Sequence, residues 1–285
     1  MTGGSLRAKA FAPSHITGFF QIFKNGSTGA GLNTDDGAIT EVEIRESNSF
    51  AVEVSINGQI SEAPVSKSVI EKFRSKLPPG ILHVSHQIAY PIGYGMGMSG
   101  AGAFSLSLAL NSLCEAPFSA SETMELAVRA EIESGTGLGD VVAQQFHGVM
   151  IGLEPYPSRT AQILPSKKDW VVCAFFEPLE TKSIIRSADW VERINMIGAA
   201  CMRELLLDRT VEHFMELSRK FTRETGLANE QVLAVLDRVP GSSMAMLGQT
   251  VFLFADDPEE GKKLLAPFTS DIIASKLAGT GAHVL

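Results

Sequence analysis

Residues Pro91 to Ala101 read Pro-Ile-Gly-Tyr-Gly-Met-Gly-Met-Ser-Gly-Ala, and no other stretch of the chain carries plainer chemistry. Gly93, Gly95, Gly97, Ser99 and Gly100 leave the backbone bare just before a long apolar segment. Such a loop wraps its N–H groups around a phosphate, and a following helix aims its positive end at the same point. Cationic side chains are scarce nearby: Leu77 to Ser166 holds no lysine, and its only arginines are Arg129 and Arg159. A polyphosphate bound here would be neutralised by backbone amides and a metal ion, and a hard divalent ion needs oxygen ligands. Glu131, Glu133 and Asp140 supply carboxylates downstream. The combination points to phosphoryl transfer.

Each of these residues has an ordinary alternative. Gly135 to Asp140 reads Gly-Thr-Gly-Leu-Gly-Asp, which sets Asp140 at the tip of a second glycine loop. There it either caps the helix expected near Val141 or accepts a proton from an attacking hydroxyl. Glu131, at the end of its helix, is either a solvated side chain or a magnesium ligand. Glu133 lies on a different helical face and is the runner-up. His83 and His86, three apart on a strand, point to opposite faces and do not share a metal. His147, His213 and His283 stand alone and read as structural. Met96, Met98, Met244 and Met246 either line an apolar pocket for an adenine ring or pack in the core. Gly95, Gly97 and Gly100 also match the dinucleotide fingerprint, but no second strand ending in an acidic residue follows at the required distance. Gly-Lys-Ser/Thr does not occur, and the protein-kinase signatures are missing.

The whole chain sets outer limits. Its 285 residues allow one large domain or two smaller ones. A net charge of −8 without a basic cluster argues against nucleic acid or an anionic membrane as partner. Cys114, Cys173 and Cys201 are widely spaced, as reduced buried cysteines of a cytoplasmic protein are, and the N-terminus lacks a signal-peptide core. Gln87 to Cys114 is uncharged and long enough to cross a bilayer, but Pro91 and the crowded glycines favour a buried loop and core helix.

The elements that must position these residues read as α+β. Ala8–Phe11 and Gly18–Phe23 look like hairpin arms around a Pro-Ser-His turn, and Gly26–Asn33 like a glycine-rich loop. Ala38–Glu46, Phe50–Ile56 and Leu82–Tyr90 alternate as strands, with a helix over Lys67–Leu77. Ala103–Leu113 alternates too, yet its small intervening residues and its length predict a buried helix. Ser121 can cap a helix running to Ser134. The polar stretch Glu154–Asp169 separates the halves. Beyond it come a strand at Trp170–Phe176, helices at Ala188–Leu207, Thr210–Thr225 and Asn229–Asp237, and a strand at Gln249–Ala255. A helix at Pro258–Leu265 and short strands at Asp271–Lys276 and His283–Leu285 complete the chain.

Three stretches together resemble the GHMP kinase superfamily. Pro91–Ala101 is similar to its Pro-x-x-x-Gly-Leu-Gly-Ser-Ser-Ala-Ala loop, with Met98 replacing the first serine and Ser99 keeping the second. Ala12-Pro13-Ser14-His15-Ile16-Thr17-Gly18 resembles the substrate-side motif, His15 standing where several relatives have lysine. Gly241-Ser-Ser-Met-Ala-Met-Leu-Gly248 is a degenerate form of the third motif. Ala10–Phe20, Gly26–Gly31 and Gly137–Gln144 resemble the archaeal pantoate kinase branch, and the likeness extends over essentially the whole chain. The resemblance implies a two-domain fold: residues 1–160 a nucleotide-binding and catalytic domain like ribosomal protein S5 domain 2, and 161–285 a ferredoxin-like domain. It implies ATP and Mg2+, with pantoate as the phosphoryl acceptor in coenzyme A biosynthesis, and relatives suggest a homodimer; the alternatives are a kinase of this type for another hydroxy acid or sugar, or a non-catalytic nucleotide-binding protein. Gly95, Met96, Gly97, Met98, Ser99, Gly100 and Ala101 would hold the phosphates. Ser99 and Glu131 would hold the metal, Asp140 would act on the hydroxyl, and His15, Ser27 and Arg159 would bind the acceptor.

Overall fold

The computed structural model of the protein describes residues 6–137, 139–158 and 160–285. Two long strands open it, β1 (Leu6–Phe23) and β2 (Gly26–Arg45), paired antiparallel along nearly their whole length. Register shifts between Pro13 and Ser14 and between Thr17 and Phe19 bend the ladder, the first at a proline that has no N–H to contribute. The turn expected at Pro13–His15 and the loop expected over Gly26–Asn33 therefore both lie inside strands. The β2 glycines serve close approach rather than turning: a Cβ at Gly31 would stand 2.5 Å from the Ile16 carbonyl oxygen and 2.6 Å from the His15 ring.

Next, β3 (Ala51–Ile56) and the edge strand β4 (Gln59–Ile60) precede α1 (Pro64–Phe73), the crossover to β5 (Ile81–Ile88), which runs parallel to β3. His83 and His86 do face opposite ways: His83 pairs with Glu53 at the surface, while buried His86 meets Thr40 and Ser66. Helix α2 (Met98–Leu113) is buried on nearly every side. Its serines are why it tolerates this: Ser105 donates to the Ala101 carbonyl and Ser107 to the Thr123 carbonyl, so neither hydroxyl is left unpaired. Helix α3 (Ala120–Ser134) begins with a capping box of Ser119 and Glu122, so Ser119, not Ser121, is the cap.

The short α4 (Asp140–Ala143) leads to β6 (Val149–Gly152), which pairs with β2, and β7 (Ala161–Leu164), which pairs with β6. Part of the expected separator is thus a strand of the first sheet. A second sheet starts at β8 (Trp170–Glu177). It is followed by α5 (Thr181–Ile185), α6 (Ala188–Leu207), α7 (Val211–Thr225) and α8 (Glu230–Arg238). Then come β9 (Ser243–Ala245), β10 (Gln249–Ala255), α9 (Pro258–Leu265) and β11 (Ile272–Lys276). The antiparallel order β11-β8-β10-β9, with helices after its first and third strands in sequence, is the ferredoxin-like arrangement expected. The last strand, β12 (His283–Val284), returns to β1 in the first sheet. Phe19 and Phe20 of β1 pack against Phe214 and Phe221 of α7 and join the layers. Among the described residues no helix is long and apolar enough to cross a membrane.

Candidate active site

The glycine loop ends where α2 begins. Gly97 is the N-cap in the left-handed region, φ 62°, and no side chain caps the helix. The first intrahelical bond runs from the Ala101 N–H to the Gly97 carbonyl, so the amides of Met98, Ser99 and Gly100 have no partner among the described residues and point out of a positive helix end. The loop is pinned from two sides. The His15 amide donates to the Met96 carbonyl at 3.1 Å, and wholly buried Gln144 donates its Nε2 to the Gly97 carbonyl at 2.9 Å. Gln144 also continues α4 from Asp140, so one residue ties the loop to the helix that carries the carboxylate.

Glu131 is only 2 % exposed. Its Oε1 accepts from Ser99 Oγ at 2.6 Å and from Thr136 Oγ1 at 2.9 Å, while Oε2 is buried and, among the described residues, has no partner. Burial, partly offset by those two hydroxyls and reinforced by the Asp140 charge, pushes its carboxyl up to about 7. An orphaned buried oxygen on a carboxylate calls for a cation. Asp140 is the second carboxylate: a Cβ at Gly137 would lie 2.5 Å from Glu131 Oε2 and 3.9 Å from Asp140 Oδ2, so both acids flank one glycine. Burial raises the Asp140 pKa and His15 opposes the rise. Asp140 makes no side-chain cap; Gly139 holds that position. Glu133 is excluded from the site, since it pairs with Lys72 and Ser68 on the surface.

A crevice of about 340 Å³ runs between this cluster and the second sheet, with Met96, Met98 and Met246 in its wall. Met244 is instead fully buried in β9. A second recess continues from His15, Ser27 and Asp140 toward Tyr156 and Thr160. Ser27 is brought beside Asp140: a Cβ at Gly139 would sit 2.2 Å from its Oγ. His15 is buried, and its Nδ1 lies 2.8 Å from Asn33 Oδ1. Burial lowers its pKa against the opposing pull of Asp140 and Asn33. Arg159 lies outside the described residues.

Sequence reasoning missed three contributors. Lys182, exposed on α5, lines the crevice, and the Arg186 guanidinium lies 2.8 Å from where a Gly135 Cβ would be. The crevice therefore has one positive side chain in its wall, Lys182, with Arg186 close by at Gly135, and both come from the second half of the chain. The third is Gly248, whose Cβ would stand 2.0 Å from the Tyr94 carbonyl carbon and 2.2 Å from the Gly95 nitrogen. That contact explains a motif that looks degenerate: one glycine at its end clasps the Pro91–Ala101 loop. Gly248→Ala should weaken nucleotide binding by about tenfold or more and lower the melting temperature, because backbone cannot yield as a side-chain tip can. Nucleotide titration and a thermal melt check both.

Residues 65–148, from α1 through both glycine loops, match the family model described as the GHMP kinases N terminal domain. A pantoate kinase of Methanocaldococcus jannaschii is 35% identical over 252 residues, covering 85% of this chain and 90% of its own. A solved phosphotransferase related to the coenzyme A biosynthesis pathway superposes with a TM-score of 0.88 at 28% identity, over 98% of both chains. Mevalonate diphosphate decarboxylase of Staphylococcus aureus shares the fold, with a TM-score of 0.72 at 14% identity over 99% of this chain and 98% of its own. An uncapped helix end facing one buried and one half-buried carboxylate, in a chain this similar over this length, has one reading: the chain belongs to the GHMP kinase superfamily and, within it, to the pantoate kinase family.

Proposed function

We propose that this protein transfers the γ-phosphoryl group of ATP to the 4-hydroxyl of pantoate, giving 4-phosphopantoate and ADP on the route to coenzyme A. One observation carries the proposal: Glu131, with its unpartnered Oε2, and Asp140 converge on Gly137 at the free amides of α2. The amides of Met98, Ser99 and Gly100 take the phosphate oxygens. Ser99 and Glu131 fit Mg2+. No trio of His, Cys, Asp or Glu side chains converges among the described residues, so phosphate and water would complete the shell. When bound, the ion would neutralise charge on the β- and γ-phosphates. Asp140 accepts a hydrogen bond from the acceptor hydroxyl and aligns its oxygen with phosphorus. As the new O–P bond forms, the bond to the β-phosphate oxygen breaks, its electron pair leaves with ADP, and the proton passes to Asp140. In a loose transition state that transfer comes late, so alignment is the larger contribution.

Ser27, beside Asp140, faces the acceptor, with Arg159 proposed for its carboxylate. Lys182 reaches over the nucleotide side from the opposite wall. Lys182→Met should raise the KM for ATP about tenfold with a smaller change for pantoate, the effect of removing one charge from a partly solvated phosphate site. Initial rates with each substrate varied in turn test this. The family resemblance also supports a homodimer acting in the cytoplasm, which sedimentation and cell fractionation test. The substrate assignment is tested by ADP release with ATP and Mg2+ and with pantoate, homoserine, mevalonate or galactose offered separately. Release with pantoate alone is expected; equal release with another acceptor would overturn it.

A further inference from the structure

Asn33 is fully buried on β2, and each of its polar groups is engaged. Its backbone N–H donates to the Gly148 carbonyl at 2.9 Å, and its own carbonyl accepts from the Ala278 N–H at 2.8 Å. Its side-chain Nδ2 donates to the Ala143 carbonyl at 2.8 Å and to the Phe146 carbonyl at 2.9 Å. An amide nitrogen carries only donors and an amide oxygen only lone pairs, so those two carbonyls decide which end of Asn33 faces His15. The oxygen does, at 2.8 Å from Nδ1, and Nδ1 must therefore bring the hydrogen. Burial favours the neutral ring, and a neutral imidazole carries one N–H. Nε2 is left with a lone pair and, among the described residues, no partner. Its edge lies over Gly31, where a Cβ would be 2.6 Å from Cε1 and 2.8 Å from Nε2, and both His15 and Gly31 line the recess next to Asp140.

We infer that Asn33 holds His15 as the Nδ1–H tautomer, so that Nε2 meets the phosphoryl acceptor as a lone-pair group and takes a hydroxyl of the substrate rather than its carboxylate. The inference rests on the acceptor assignment made above and deepens it. Two lone-pair groups, Asp140 and His15 Nε2, suit an acceptor with two hydroxyls, the reacting one at Asp140 and the other at His15. Pantoate, a 2,4-dihydroxy acid, has that pattern. Asn33 touches no substrate in this scheme; it is a positioning residue acting through the imidazole.

The tautomer is read directly from two-bond 1H–15N spectra of histidine-labelled protein at pH 8, with the His15 signals assigned by their loss in His15→Gln. A protonated Nδ1 and bare Nε2 are expected in the wild type. Asn33→Leu should move the ring toward the Nε2–H form. The role is read by comparing pantoate with 4-hydroxy-3,3-dimethylbutanoate, which lacks the second hydroxyl. The wild type should favour pantoate in kcat/KM by roughly 10- to 100-fold, and Asn33→Leu should reduce that preference to a few-fold. A protonated Nε2 on His15 in the wild type would overturn the tautomer. An undiminished preference in folded Asn33→Leu would overturn the role. If the wild type phosphorylates neither acid, the acceptor assignment fails, and the spectra still decide the tautomer.

Discussion

Replacing Asp140 with asparagine should lower kcat for pantoate phosphorylation by at least ~100-fold, the usual scale of acid–base and alignment contributions. The substitution keeps the volume and leaves the Asp140 Cβ in place beside Gly100, where an added Cβ on the glycine would lie 3.2 Å from it. It removes the negative charge and the basicity of the carboxylate and replaces one of its two accepting oxygens with an NH2 group that only donates. Nucleotide affinity should change little, since no phosphate-binding amide moves. Stopped assays for kcat and a fluorescent-nucleotide titration separate the two. Near-normal turnover in a folded Asp140→Asn protein would remove Asp140 from the mechanism.

Glu131→Gln should have an effect as large, with a different signature. The amide oxygen still accepts from Ser99 and Thr136, while the buried negative charge is lost. If the carboxylate holds Mg2+, activity should fall on the order of 100- to 1,000-fold, corresponding to several kcal/mol of transition-state charge stabilisation. The pH dependence of stability should change as well. The Glu131 carboxyl rises from 4.5 to about 7 on folding, chiefly through burial. A folded pKa above the unfolded one means that the native state binds the extra proton between those values. Stability is then full below pH 4.5 and is lost as pH rises through 7, by on the order of 3 kcal/mol if only this group acted. Metal-free wild type should therefore lose melting temperature across that window, Mg2+ with nucleotide should restore it by neutralising the ionised buried carboxylate, and Glu131→Gln should flatten the slope. Thermal melts from pH 4.5 to 8, with and without Mg2+ and nucleotide, check all three.

Those two residues were legible in the sequence because local pattern carries them: glycine loops, an apolar run and acids at the loop tips. Lys182 and Arg186 were not. They sit on and just after a five-residue helix with no motif of its own, and only the packing of the second sheet against the first brings them to the crevice. Gly248 was visible only as part of a worn motif, since its role is one backbone contact with Tyr94 and Gly95. The strands failed for a related reason. Gly26–Asn33 has the composition of a loop, yet Gly31 is there so that a strand can pass under a histidine. Asn33, at the end of the same stretch, looks like turn chemistry and is instead among the most heavily hydrogen-bonded side chains near the site. Close approach and tertiary hydrogen bonding leave no periodic trace, whereas the buried helix α2 was legible through residue size and length, and the ferredoxin-like half through the family resemblance.

The central claim is that main-chain amides at the start of α2, with the Glu131–Ser99 pair, hold the transferred phosphoryl group against a hydroxyl oriented by Asp140. A crystal structure with a non-hydrolysable ATP analogue, Mg2+ and pantoate tests it most directly. The γ-phosphate should lie on the Met98, Ser99 and Gly100 amides, with the ion between Glu131 Oε2 and Ser99 and the 4-hydroxyl within hydrogen-bond reach of Asp140. A triphosphate seated elsewhere, or a pantoate whose 4-hydroxyl points away from Asp140, would contradict it.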